Sequence, residues 1–183
     1  EGDLVALVAP AGVIHDENAV FQFQEILNSW GLRSYVGDHA LDKNYHFSAT
    51  DSDRLSDLQK AMDSTEVRAI WAIRGGYGSA RIVDSLDFSK LLESPKWFIG
   101  YSDMTAIHSA LNQQGMESIH GMMPVNLKDD SPEAAQSLEA IKEVLFGKRP
   151  RYEIAPNPKN KIGEAKAKLV GGNLTLIQTK IGR

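Results

Sequence analysis

A serine sits at the corner of Trp97-Phe98-Ile99-Gly100-Tyr101-Ser102-Asp103-Met104-Thr105, where an apolar run gives way to a helical pattern. A sharp turn from strand to helix lifts such a hydroxyl above the sheet edge, as in a nucleophile elbow. The helix start behind it offers free N–H groups and a positive partial charge. The Asp103 N–H would then face an oxyanion formed when Ser102 attacks a carbonyl. The pattern departs from Gly-x-Ser-x-Gly, because Met104 stands in the place of the second glycine. Ser and Asp are also common helix caps. Spacing alone therefore leaves Ser102 open as nucleophile or as cap.

A second unusual segment is Arg74-Gly75-Gly76-Tyr77-Gly78-Ser79-Ala80-Arg81. Glycines let a backbone approach a ligand closely. The segment could cradle a phosphate at a helix start, add an oxyanion donor beside Ser102, or simply make a tight turn. It fails as a dinucleotide fingerprint, since Arg81 stands where a third small residue belongs. Among the five histidines, His120 ends a short strand on the same edge and is the best candidate for a ligand contact. His108 lies six positions beyond Ser102, which turns it away on a helix; it reads as a core or helix-face residue. His39 and His46 fall in a polar loop and read as exposed. Asp51, Asp53 and Asp57 fit a solvated first helical turn. No His, Asp and Glu grouping has metal-ligand spacing, so neither a metal nor another cofactor is expected.

The elements that must position these residues follow from hydrophobic period. Leu4 to Ala9 is a short continuous apolar run stopped by Pro10 and reads as a strand buried on both faces. Val20, Phe23, Ile26, Leu27 and Trp30 make a helix stripe that Gly31 can cap. Further strands are expected at Leu32 to Val36, Val67 to Ile73, Lys96 to Ile99 and Glu117 to His120. Helices are expected at Ser52 to Met62, around Ser79 to Ser85, and at Met104 to Gln114. Ser131-Pro132-Glu133 carries the signals of another helix start. The alternation predicts an α/β, Rossmann-like or flavodoxin-like, mostly parallel sheet with helices on both faces. Ligands then bind outside the carboxyl ends of the strands. Residues 1–147 form this domain. A Pro- and Lys-rich linker covers 148–164, and 165–183 begin a second domain with a strand at Ala165 to Val170 and a helix from Asn173 to Ile181.

Composition narrows the classes. Twenty Lys and Arg face twenty-four Asp and Glu, a net charge of -4. That balance argues against a nucleic-acid partner, which needs a basic footprint. With no cysteine there is no disulfide, thiolate metal site or cysteine nucleophile. No apolar run approaches the roughly 20 residues of a membrane span. The lack of cysteine fits cytoplasm and periplasm alike.

Read together, Gly100-Tyr101-Ser102-Asp103-Met104-Thr105-Ala106 and Arg74-Gly75-Gly76-Tyr77-Gly78 resemble the LD-carboxypeptidases, serine peptidases that include muramoyltetrapeptide carboxypeptidase. Gly2 to Gly12 is similar to the family's opening strand and loop, and Asp53-Arg54 with Asp57-Leu58 to its helix before the glycine loop. Ile119-His120-Gly121 resembles its His-Gly-Pro segment, with Met122 in place of the proline. Leu169-Val170-Gly171-Gly172-Asn173-Leu174 resembles the stretch leading into its second domain.

The resemblance implies a homodimeric, cytoplasmic hydrolase that releases terminal D-alanine from murein tetrapeptide during cell-wall recycling; a periplasmic location stays open. It implies Ser102 as nucleophile, and the N–H groups of Asp103 and Gly76 as oxyanion hole. Arg74, Gly75, Tyr77 and His120 are the substrate-binding candidates. The triad Glu and His belong to the family's C-terminal domain, beyond Arg183. The 183 residues alone are then incomplete and inactive as a peptidase. Two alternatives stand beside this: a microcin-immunity-type peptidase cleaving an aminoacyl-nucleotide, and a non-catalytic α/β module binding an anion or nucleotide.

Overall fold

The computed structural model describes residues 2–128, 131–151, 153 and 155–180. Its strands are β1 (Leu4–Val8), β2 (Arg33–Val36), β3 (Val67–Ala72), β4 (Trp97–Gly100) and β5 (Ile119–His120). They form one sheet in the order β2-β1-β3-β4-β5, with every pair parallel. This is the flavodoxin order, with its switch point between β1 and β3. The helices are α1 (Asn18–Ser29), α2 (Asp51–Asp63), α3 (Ser79–Ile82), α4 (Ser89–Glu93), α5 (Thr105–Gln113), α6 (Pro132–Leu145) and α7 (Leu174–Lys180).

Side-chain alternation along the strands divides the core in two. Ile70 and Phe98 point to one face, where they meet Leu58 of α2, Ile82 of α3 and Ile107 of α5. Trp71 and Ile99 point to the other, where they meet Phe23 and Leu27 of α1 and Ile141 of α6. Trp71 is fully buried; its ring meets Phe23 edge-on at 4.6 Å, and its Nε1–H donates to the Met122 carbonyl at 2.9 Å. That bond removes the cost of burying an indole N–H.

The helix ends follow the sequence signals. Gly31 takes a positive φ of 76°, and Leu32 N–H reaches back to the Leu27 carbonyl, which closes α1 as expected. Ser131 Oγ accepts the Ala134 N–H at 3.1 Å with Pro132 in the first turn of α6. The expected strand at Ala165 to Val170 does not form: these residues are exposed and without regular structure. The helix from Asn173 is α7, which lies against α5; the expected end at Ile181 falls outside the described residues.

The polar stretch after β2 is tied down more firmly than its composition suggests. Asp57 is buried, not solvated. Its carboxylate accepts the His39 backbone N–H at 2.8 Å and His39 Nδ1–H at 3.0 Å. Hydrogen bonding to Asp57, against the cost of burial, raises the His39 pKa above its ordinary 6.5, with help from the charges of Asp57, Asp53 and Asp42. A raised imidazole pKa stabilises the fold fully below 6.5, and that gain is lost as pH climbs through the folded-state value. Urea unfolding of wild type and His39→Ala should therefore differ more at mildly acidic pH than at alkaline pH. An equal difference at both would show that the imidazolium is not what Asp57 holds.

Candidate active site

Three loops leave the carboxyl ends of β1, β3 and β4 and converge at the switch point. Gly12 N–H donates to the Gly75 carbonyl at 3.0 Å. Arg74 Nη1 donates to the Val13 carbonyl at 2.8 Å, fastening the same two loops. Gly75 then faces the third: a β-carbon on it would sit 3.2 Å from Ser102 Cβ and 3.5 Å from Ser102 Oγ. A side chain there would press on the serine, so glycine eases the close approach of the two loops.

Ser102 adopts φ 61°, the left-handed region, sharing this among non-glycine described residues only with Tyr45. Such a conformation costs on the order of 1–2 kcal/mol for an L-residue. Tyr101 before it is extended, and a 3-10 turn over Ser102–Met104 leads into α5. Met104, where a glycine was wanted by pattern, is buried; its Cγ lies 2.7 Å from where a β-carbon on Gly100 would be. Gly100 thus makes room for Met104, and the sharp turn survives without a second glycine. The half-exposed Ser102 side chain caps nothing and has no hydrogen bond among the described residues.

Asp103 caps a helix other than its own. Its carboxylate accepts the Ser79 N–H at 2.8 Å, and its carbonyl accepts the Ser79 hydroxyl at 2.6 Å. These bonds fasten the elbow to the start of α3, directly after the glycine loop. Burial raises the Asp103 pKa, opposed by the bonds from Ser79 and the charge of Arg54. Neither the Asp103 N–H nor the Gly76 N–H has an acceptor among the described residues.

The other candidates separate. His108 is buried, with Nε2 at 2.8 Å from the Gly100 carbonyl and Nδ1 at 2.7 Å from Ser118 Oγ. A carbonyl only accepts, so Nε2 carries the proton and Nδ1 accepts from the Ser118 hydroxyl. Burial lowers its pKa, and the imidazole works as a neutral brace on the strand end. His120 is exposed, its ring 6.2 Å from that of Tyr101. Tyr77 is exposed beside His46 and Phe47, at ring separations of 6.2 and 6.0 Å. His39 stands with Asp57 instead of facing solvent freely. Among the described residues no three His, Asp or Glu converge to hold a metal, and no helix is long and apolar enough to cross a membrane.

Arg54 is the residue that sequence reasoning missed. It is 2% exposed. Its Nη1 donates to the carbonyls of Pro10 and Gly78, the latter at 3.1 Å, while Nε reaches the Ala49 carbonyl at 3.3 Å and Nη2 pairs with Asp51. Its guanidinium carbon lies 4.8 Å from the centre of the Phe47 ring. Burial pulls its pKa down, opposed by Asp51. The available signal was its register: Arg54 lies on the apolar stripe of α2 with Leu58 and Ala61.

A parallel sheet in flavodoxin order, with a left-handed serine where β4 turns into a helix, defines an α/β domain of the serine-elbow class. Residues 5–121 match the LD-carboxypeptidase N-terminal domain, and the chain belongs to that family. It is 32% identical to the probable murein peptide carboxypeptidase of Bacillus subtilis, over 100% of this chain and 58% of that protein. It is 30% identical to the murein tetrapeptide carboxypeptidase of Pseudomonas aeruginosa, over 97% and 60%. The chain thus spans about 60% of the length of these curated relatives. A solved muramoyltetrapeptide carboxypeptidase from Oxalobacter formigenes superposes with a TM-score of 0.67 at 29% identity, over 79% of this chain and 48% of that one. The microcin C7 self-immunity protein MccF superposes at 0.80 over 99% of this chain and 63% of its own, at 20% identity, a likeness of fold.

The strained backbone gives a stability test. Alanine ordinarily outranks glycine because it narrows the unfolded ensemble, but not where φ is positive. Ser102→Gly should be more stable than Ser102→Ala by about 1 kcal/mol in urea unfolding. The ordinary order, alanine above glycine, would mean that the serine backbone is not held left-handed.

Proposed function

We propose that Ser102 is the nucleophile of an LD-carboxypeptidase that hydrolyses the L,D bond and releases terminal D-alanine from murein tetrapeptide. One observation carries the reading. A serine kept at φ 61° has a hydroxyl with no protein partner among the described residues, beside a glycine that leaves room for a substrate carbonyl. Energy stored in such a backbone is characteristic of functional sites. In the first step Ser102 Oγ bonds to the carbonyl carbon and its proton passes to a base. The oxyanion takes the N–H groups of Asp103 and Gly76, which the lack of other acceptors supports. Collapse, with the base returning that proton to the leaving nitrogen, expels D-alanine and leaves an acyl-enzyme that water then hydrolyses.

The base is proposed to come from a Glu and His pair in a C-terminal domain entered through the Val170-Gly171-Gly172-Asn173 stretch, with 148–164 as linker. Tyr77 and His120, both exposed, are proposed as substrate contacts. Arg74 can join them only through donors other than the Nη1 held by Val13. Recycling of peptidoglycan, a cytoplasmic location and a homodimer belong to the same reading. The carboxypeptidase reading takes precedence over the microcin-immunity one because the relatives named for murein peptides are 30–32% identical, against 20% for MccF.

With the full chain and murein tetrapeptide, Ser102→Ala should lower kcat by roughly 10⁴–10⁶-fold, and a fluorophosphonate should add to Ser102 and to no other serine. Unchanged turnover in that variant would overturn the assignment. Residues 1–183 alone are expected to show no turnover on the same substrate.

A further inference from the structure

The stretch Gly172-Asn173 is joined to the nucleophile's own peptide through one hydroxyl. Thr105 is fully buried at the start of α5. Its Oγ1–H donates to the Ser102 carbonyl at 2.7 Å, and the same oxygen accepts the Asn173 backbone N–H at 2.9 Å. A hydroxyl has one proton to give, so both bonds fix its rotor together. Gly172 comes against the same side chain with φ 146°; a β-carbon there would lie 2.5 Å from Thr105 Oγ1 and 2.6 Å from its Cγ2. The contact therefore requires glycine on both steric and backbone grounds.

We propose that Thr105 is a positioning residue that makes the geometry of Ser102 depend on the seating of residues 172–173. The inference rests on the reading of Ser102 as nucleophile and adds to it. The left-handed backbone at Ser102 is uphill by itself and persists only while its surroundings hold it. The Ser102 carbonyl is held from below by the Thr105 hydroxyl, and that hydroxyl is oriented by a segment 68 residues away in sequence. Lifting residues 172–173 would free the hydroxyl to rotate and let the serine peptide relax. α7, which follows directly, lies along α5 and carries the same connection onward. Displacement of a reacting atom by about 1 Å can cost on the order of 100-fold in rate. Such a loss falls on kcat while KM stays, because no group that binds substrate is removed.

The test uses the full chain, with D-alanine release from murein tetrapeptide as readout and Ser102→Ala as reference. Thr105→Val keeps the shape and removes both bonds; it should lower kcat by about 100-fold with KM little changed. Thr105→Ser keeps both bonds and should turn over close to wild type. Gly172→Ala alters no group of the elbow and should repeat the loss seen with valine. Wild-type kcat in both Thr105→Val and Gly172→Ala, with Ser102→Ala inactive, would overturn the inference and leave the nucleophile in place. Equal losses in Thr105→Val and Thr105→Ser would overturn it too, since the hydroxyl would then not be what matters. Activity in Ser102→Ala would instead overturn the underlying assignment of the nucleophile.

Discussion

The site depends on the contact of three backbones with almost nothing between them. Gly12 bonds to Gly75, and Gly75 lies against Ser102. Parallel strands bring their loops to one edge, but side chains ordinarily keep such loops apart. Here the gap is closed by glycine, and the fastening is done from behind by charged and polar side chains. Arg74 joins the first two loops, Asp103 joins the third to the start of α3, and Arg54 gathers carbonyls from beneath. The hydroxyl of Ser102 has no hydrogen-bond partner among the described residues, and the N–H groups of Asp103 and Gly76 likewise have no acceptor among them. A rigid rim with one unengaged nucleophilic atom is what preorganisation requires of a scaffold.

The elbow divides its tasks between adjacent residues. Ser102 carries the strained backbone, and Asp103 supplies the anchor. A carboxylate buried this far would be costly alone; the Ser79 N–H offsets part of that cost, and the Ser79 hydroxyl, donating to the Asp103 carbonyl, fixes the direction of the peptide. On the other side His108 and the Gly121 N–H share the Gly100 carbonyl. The turn is thus bounded by hydrogen bonds at residues 100, 102 and 103, which leaves little freedom for the strained serine to relax.

Much of this was legible in the residues. The unbroken apolar run of β1, the glycine ending α1, the Ser-Pro start of α6 and the corner at Ser102 each arise from short-range chemistry, and each appears where pattern placed it. The core placement of His108 also followed from spacing, which turned it from the serine. What pattern missed was long-range. Asp57 reads as one more acid in a solvated turn, because its partner His39 comes from a different loop. Arg54 reads only as part of a match to a family helix, and three of its four carbonyl and carboxylate partners come from outside that helix. The strand expected at Ala165 to Val170 had suitable residue types, yet the segment is exposed and without regular structure, as fits a propensity that depends mostly on packing neighbours.

The buried guanidinium of Arg54 also bears on which parts of the chain are held to one another. Its acceptors come from the loop after β1, the end of the loop before α2, and the turn after β3. The carbonyls of Pro10 and Gly78 lie 44 and 24 residues from Arg54 in sequence, so these two bonds tie segments that meet only once the strands have paired. Arg54 thus joins, through one buried guanidinium, three stretches of chain around the corner that carries Ser102.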